Sequence, residues 1–390
     1  MELACVAQLY DWGKLGSSSL VSRLLSSNKN FKLDENIPYA ELWIGTHAKG
    51  ESCMLSTGET LHSYLKRNPR ALGSVLDDDL PFLLKVLSIR KALSIQAHPD
   101  KELAAVLHEQ NPLIYRDANH KPELAIAVDD FEVLCGFRPL EEIKNFLKLI
   151  HELQDIIPIN VYQGFIRNAN PSSLQAVFTS LMTASEYSVR GSLTNLMNRL
   201  KTSVDEIRDA QLYPILEMLQ EQHPMDVGIF SIYFMNYIKL KPGEAVFIDA
   251  NVPHAYLKGN CVEIMACSDN VVRAGLTTKY RDVDTLCMML NYKSSTASEM
   301  MFKGKRIDEY CTVYKPPVKE FSITRIFAPP SKEHVVKSNQ SCSIIVIVQG
   351  TGNCPQLDIH PGTVAFLPAR TELTILTTTH MLLFQAFCLI

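Results

Sequence analysis

Strong charge of one sign is missing from this chain of 390 residues: 38 Lys and Arg against 42 Asp and Glu leave a formal net charge of −4. That balance offers no basic surface for nucleic acid. Also missing is any apolar run near the roughly 18 residues a membrane helix needs. Even Leu80–Ile89 is interrupted by Lys85. The first residues, Met1-Glu2-Leu3-Ala4-Cys5, show neither the basic start nor the apolar core of a secretion signal. Ten Cys are present, but no C-x-x-C pair, which argues against a Cys-based zinc site. The thiols read as reduced core residues of a cytosolic protein. No Gly/Ser/Pro-rich tract marks a disordered tail, and no P-loop or dinucleotide fingerprint is visible.

What is present is a well-stocked core. With 46% hydrophobic residues, the chain has material for two or three domains. Residues up to about 140 read as short strands and loops, with helices at Leu61–Arg67 and Lys101–Glu109. Asp100 is placed to cap the second, and Pro99 to end the strand before it. After Pro139 the texture changes. Ile143, Phe146, Leu147, Ile150 and Leu153 share one helical face, and Pro158 stops that helix. Leu174, Phe178, Leu181 and Met182 form a second stripe after Asn170-Pro171. Leu193, Leu196, Met197, Leu200, Val204 and Ile207 form a third, and Leu212, Ile215, Leu216 and Leu219 a fourth. Four amphipathic helices, closed by His223-Pro224, predict a helical insertion. Strand texture returns at Gly228–Leu240.

A weak internal repeat follows. Lys241-Pro242-Gly243 leads to Phe247 and Ala250, as His360-Pro361-Gly362 leads to Phe366 and Ala369. Each copy reads as a turn and a strand, which predicts two related β domains. The first copy runs on to His254. The same offset in the second reaches Leu373, so the second copy is expected to lack that ligand.

The chemistry centres on Leu93-Ser94-Ile95-Gln96-Ala97-His98-Pro99. Apolar and polar residues alternate, so Ser94, Gln96 and His98 share one face of a strand. Glu123, in Asn119-His120-Lys121-Pro122-Glu123, and His254, in Val252-Pro253-His254-Ala255-Tyr256, complete a potential metal set. Two imidazoles and one carboxylate suit zinc, iron or manganese. A single carboxylate leaves a divalent site positive, so Lewis-acid strength is kept. Gln is an uncommon ligand, and spacing alone does not select Gln96. A second cluster runs from Glu263 to Lys279. Cys261, Glu263 and Met265 alternate onto one face, and Asp269, Arg273 and Lys279 follow in a loop-like stretch. An Arg beside a metal suits an anionic substrate or a developing oxyanion. Lys121 shares the Glu123 face if that segment is extended. Lys85 and Ser94 offer a point charge and a hydroxyl to phosphate. Trp12, in Tyr10-Asp11-Trp12-Gly13, offers a sugar-facing ring.

Together these segments resemble type I phosphomannose isomerase. The motifs QAHPDK, NHKPE, PHAYL and SDNVVRAGLT carry the resemblance, in the family's order and through residue 279. The last quarter of the chain matches only weakly. The resemblance implies a mainly β protein with an α-helical insertion: two cupin-like β-barrel (jelly-roll) domains plus a helical domain. The implied division is a catalytic domain in two parts, 1–140 and 226–295, around a helical domain at 141–225, with a C-terminal domain at 296–390 lacking metal ligands. It also implies Gln96, His98, Glu123 and His254 as ligands of one Zn²⁺, and Arg273 as the catalytic arginine. Lys121, Asp269 and Lys85 match pocket positions, and Ser94, Lys279, Tyr256 and Trp12 are assigned to the substrate and its phosphate. Thr278 stands where the family usually has Pro.

The implied reaction interconverts mannose 6-phosphate and fructose 6-phosphate through an enediol, in a cytoplasmic monomer without nucleic-acid or membrane partners. The sequence does not choose among Glu263, Lys121, Asp269 and a metal-bound hydroxide as the base. A non-isomerising cupin, either a hexose-phosphate sensor or an iron dioxygenase, is the competing class.

Overall fold

The computed structural model describes residues 1–28, 31–73 and 78–388. Its N-terminal part is organised around the strand Phe82–Ile89, every residue of which is buried. A strand covered on both faces carries apolar side chains on both; Lys85 and Ser88 are the exceptions here. It pairs antiparallel with Glu41–Ile44 on one edge and with His254–Ala266 on the other. Leu84 and Val86 point into a hydrophobic core. Leu83, Lys85 and Leu87 point the other way, into a cleft.

The strand His254–Ala266 is 13 residues long and changes partners along its length. Its first half pairs with Phe131–Phe137 and, through His254, with Gln96. Its second half pairs with Phe82–Ile89 and Glu123–Ala127. The change falls at Gly259, whose φ of 113° is open to glycine alone. A Cβ there would lie 2.5 Å from the Asp130 carbonyl oxygen. One strand thus carries His254 at one end and Glu263 towards the other.

Two early helices lie where the spacing predicts them, at Leu61–Arg67 and Lys101–Gln110. The Asp100 carboxylate caps the second by accepting from the Leu103 amide at 2.9 Å. The insertion is helical too, but its four stripes resolve into more pieces. Helices run over Leu140–Leu149, Ile159–Arg167, Pro171–Met182, Glu186–Lys201, Asp205–Ala210 and Tyr213–Gln222. The stripe reading missed Ile159–Arg167, because Pro158 opens that helix as its N-cap rather than simply closing the one before. The third stripe breaks at Thr202-Ser203, which leaves Val204 60% exposed at the start of a separate short helix. The strand expected from Gly228 begins only at Met235. Val227–Tyr233 is instead a 3₁₀ helix, capped by Asp226 and buried at every position, so no period-2 alternation was available to read. The helices share one core with Ile95, Ala97, Ala255 and Val272, and so back the strands that carry Gln96, His254 and Arg273.

The C-terminal part contributes a six-stranded and a four-stranded antiparallel sheet. The two repeat copies adopt the same local form. Gly243 and Gly362 have φ of 88° and 92°, and the strands Ala245–Ile248 and Val364–Leu367 follow them. Leu373 is buried in an apolar cluster of the C-terminal sheets. The two sheet systems meet back to back: Leu84, Val86 and Ile264 share a core with Ile344, Val346 and Phe384. The molecule is sheet-rich with a helical insertion, and no closed ring of strands occurs among the described residues.

Candidate active site

Three buried side chains converge where the strand ends meet. His98 follows the strand Ile95–Ala97, while Glu123 and His254 each begin a strand. His98 Nε2 lies 3.2 Å from Glu123 Oε1, and His254 Nε2 lies 3.4 Å from Glu123 Oε2. The three ligand-type atoms all fall within 4.8 Å of one another. Both imidazoles are held by their other nitrogen. His98 Nδ1 donates to the Asn270 carbonyl at 2.6 Å, and His254 Nδ1 to the Val252 carbonyl at 3.1 Å. That fixes the tautomer in each ring and leaves the Nε2 lone pairs facing Glu123. His98 Nε2 and Glu123 Oε2 are buried without a hydrogen-bond partner. Such orphaned atoms are costly unless something fills the space between them. Burial lowers the His98 pKa to about 4, so the ring is neutral at physiological pH. Burial opposes ionisation of Glu123, but its carboxyl is held well below the usual range, with the Lys121 ammonium 3.3 Å away as the standing positive charge. Two imidazoles and a carboxylate are the donor set a divalent cation takes.

Gln96 lies opposite both His254 and Arg273 in strand register. Its amide nitrogen donates to His254 Nε2 at 3.2 Å, and its oxygen accepts from the Ser94 hydroxyl at 3.0 Å. For Gln96 to be a ligand, its amide must be turned over, oxygen inward. Ser94 accepts as readily as it donates, so it supports either orientation.

Beside this cluster opens a cleft of 590 Å³. On its floor Lys85 Nζ lies 3.1 Å from Glu263 and 3.4 Å from Glu41, over the Trp43 ring. Burial opposes the Lys85 charge, but the two carboxylates outweigh it and raise its pKa. Lys85 is therefore a fixed ammonium committed to two anions. Burial raises the Glu263 pKa, and Lys85 only partly offsets the effect because Glu123 and Glu41 add like charge. The buried Tyr256 phenol, close to Glu263 and Glu123, is pushed well up by burial first. At the mouth, Arg273 has no ion pair among the described residues, and burial alone pulls its pKa down. Lys279 sits 5.4 Å over the Tyr10 ring. Burial and then the Arg273 charge lower its pKa. Two adjacent cations without a carboxylate between them are a pocket for an anion. Trp12 stacks on Tyr10 with centroids 5.8 Å apart and lines the same cleft. Lys121 Nζ reaches Glu123 Oε1 at 3.3 Å from a loop rather than from a strand.

Asp269 lies at the rim. His47 and Lys49 hold its carboxylate far below the usual range, through contacts of 3.5 and 2.6 Å. Sequence reasoning missed those two partners, and it missed Glu41. It also missed Asp117, which accepts from Ser268 and from the Asp269 amide and so shapes the turn that carries the Asn270 carbonyl. Asp226, from the helical insertion, accepts from the Leu276 amide at 2.8 Å and pins the loop that carries Thr278 and Lys279. Glu320, from the C-terminal part, accepts from His120 at 2.7 Å and lies 3.6 Å from Lys101. One carboxylate therefore ties together the segments following His98 and preceding Glu123. Only Glu41 had a local signal, through strand alternation with Trp43; the rest depend on tertiary contacts.

Models of one family match the chain in three places: "Phosphomannose isomerase type I, catalytic domain" over residues 1–140, its helical insertion domain over 149–235, and its C-terminal domain over 312–354. Mannose-6-phosphate isomerase of Mus musculus is 44% identical over 100% of this chain and 98% of its own length. A point mutant of phosphomannose isomerase from Salmonella typhimurium has a TM-score of 0.85 at 27% identity, covering 100% of this chain and 99% of that one. A mannose 6-phosphate isomerase crystallised with zinc and yttrium has a TM-score of 0.84 at 27% identity, with the same coverage. The fold and the site thus define an enzyme of the isomerase class. The chain belongs to the type I phosphomannose isomerase family.

Proposed function

We propose that this enzyme interconverts mannose 6-phosphate and fructose 6-phosphate through an enediol, with one Zn²⁺ held by Gln96, His98, Glu123 and His254. The observation that carries the reading is the pairing of two features in one cleft. One is a buried donor set with orphaned lone pairs; the other is an unpaired Arg273 beside Lys279. Relatives called mannose-6-phosphate isomerase match over at least 98% of this chain, and a zinc-bound relative supports the choice of metal.

The zinc supplies Lewis-acid polarisation of the sugar oxygens. The remaining roles belong to side chains. Arg273 and Lys279 take the phosphate and the charge that builds on oxygen when a proton leaves C2. Glu263 moves the proton between C2 and C1, because its raised pKa suits it as a base that must also act as an acid. Asp269, locked to His47 and Lys49, is too weak a base and instead orients its loop. Lys121 and Lys85 keep the Glu123 and Glu263 carboxylates in place, Ser94 aligns Gln96, and Tyr256 and Trp12 shape the sugar pocket.

Two jelly-roll domains of the cupin type, with catalytic parts at 1–140 and 226–295, a helical part at 141–225 and a C-terminal part at 296–390, fit the back-to-back sheets and the repeat. A monomer suffices, since one chain supplies every group, and ten free cysteines fit a reducing cytoplasm. A coupled assay for fructose 6-phosphate tests the reading. Chelation should abolish turnover and added Zn²⁺ restore it. Full activity in metal-free protein refutes the metal role, and tight hexose-phosphate binding without conversion makes the chain a sensor.

A further inference from the structure

We propose that the C-terminal sheets hold a second, metal-free ligand site for a small phosphorylated polyol, at the position that corresponds to the first cleft. Strand register brings the two halves into correspondence. Ile248 lies opposite Glu123 in the first copy, and Leu367 lies opposite Ser343 in the second, at the same distance from the repeat glycine. Met265 is also opposite Glu123, and Phe387 is also opposite Ser343. Two residues before these, Glu263 faces Lys85 and Gln385 faces Thr324. Ser343 therefore stands in the place of Glu123, Gln385 in that of Glu263, Thr324 in that of Lys85, and Leu373 in that of His254.

The hollow persists although its chemistry has changed. Lys85, Glu263 and Met265 line the first cleft. Their counterparts Thr324, Gln385 and Phe387 line a pocket of 300 Å³ in the second half. Among the described residues no carboxylate lines this pocket, so the acid pair of the first cleft has no counterpart in it. It presents hydroxyls, amides and the ammonium groups of Lys315 and Lys337. Lys337 is paired with Glu372 at 3.5 Å, whereas Lys315 has no ion pair among the described residues. Gln385 is 7% exposed. Its amide nitrogen donates to the Lys337 carbonyl at 2.8 Å and to Ser343 at 3.0 Å, which aims its free oxygen as an acceptor. Ser322 shares the strand face of Thr324, lies opposite Phe387, and is wholly buried with an unpartnered hydroxyl. An uncommitted ammonium beside fixed hydroxyl and amide groups recognises an anion that itself bears hydroxyls.

Calorimetry of the zinc-loaded enzyme with a hexitol 6-phosphate, which has no carbonyl to isomerise, tests the site. Two equivalents should bind per chain. Lys315→Glu and Thr324→Val should each retain one, with kcat/KM for the isomerisation unchanged. Arg273→Ala should lose the other equivalent and keep this one. A single equivalent in the wild type, or two in Lys315→Glu, overturns the proposal. Inorganic phosphate should compete at this site about tenfold more weakly, by the loss of one to two hydrogen bonds. Equal competition makes it a phosphate site and overturns the polyol assignment.

Discussion

Arg273 is half-buried, charged and, among the described residues, without a carboxylate partner. A desolvated guanidinium in that state gains most by meeting an anion, which is why the reaction is assigned to its side of the cleft. Arg273→Ala should lower kcat/KM by about 10²–10³, the cost typical of losing one oxyanion-stabilising donor. Zinc content, read by metal analysis, should not change; unchanged turnover would remove Arg273 from the mechanism. Glu263 differs in sign. Its raised pKa means it is protonated, and useless as a base, over a wider acid range than an ordinary carboxyl. The acid limb of the kcat/KM profile should therefore lie above the ordinary value of about 4.3, with activity lost as pH falls through it. Glu263→Gln should abolish that limb together with most of the rate. The residues legible in sequence were those whose neighbours in the chain set their face. Alternation placed Gln96 and His98 on one face without singling out Gln96 as a ligand, whereas Lys85 read as a phosphate ligand because nothing local reveals that Glu41 lies across the sheet.

At the scale of elements, the loops around the cluster are set by distant carboxylates. Glu320 accepts from His120 and stands near Lys101, and His120 holds its pKa down to about 2. A depressed carboxyl stabilises the fold above its unfolded pKa, about 4.3, and loses that contribution as pH falls towards its folded value. Wild type should be more stable than Glu320→Gln by about 1–2 kcal/mol at neutral pH, the worth of a charge-assisted hydrogen bond. The Tm gap should shrink as pH falls below about 4.3 and close as it passes the folded value of about 2. The variant should also release zinc faster in a chelator-competition assay, and unaltered release would confine Glu320 to stability. The insertion shows where periodicity stops being informative. Glu186–Lys201 and Tyr213–Gln222 were readable from their stripes. Val227–Tyr233 was not, since a segment buried all round has no period.

For the whole molecule, the important contact is the core shared by the two sheet systems. Phe384 is fully buried there, in the same cluster as Leu84 and Val86 on the reverse of the Lys85 strand. Phe384→Ala should cost about 3–5 kcal/mol. Because the core is common, calorimetry should show one transition rather than two, and a separately melting C-terminal part would contradict that coupling. The repeat made the second sheet system legible in sequence, but the back-to-back packing was not, since a strand pattern says which face is apolar and not what covers it. The change of partner at Gly259 has a last consequence. In the C-terminal copy the segment 378–380 separates the strands Thr371–Thr377 and Met381–Phe387, so the two ends of that track belong to different strands. In the first copy the track is unbroken, and His254 and Glu263 travel as one rod. A single inserted residue beyond Gly259 would swap the inward and outward sides of everything after it, turning Glu263 from the substrate into grease while His254 stayed put.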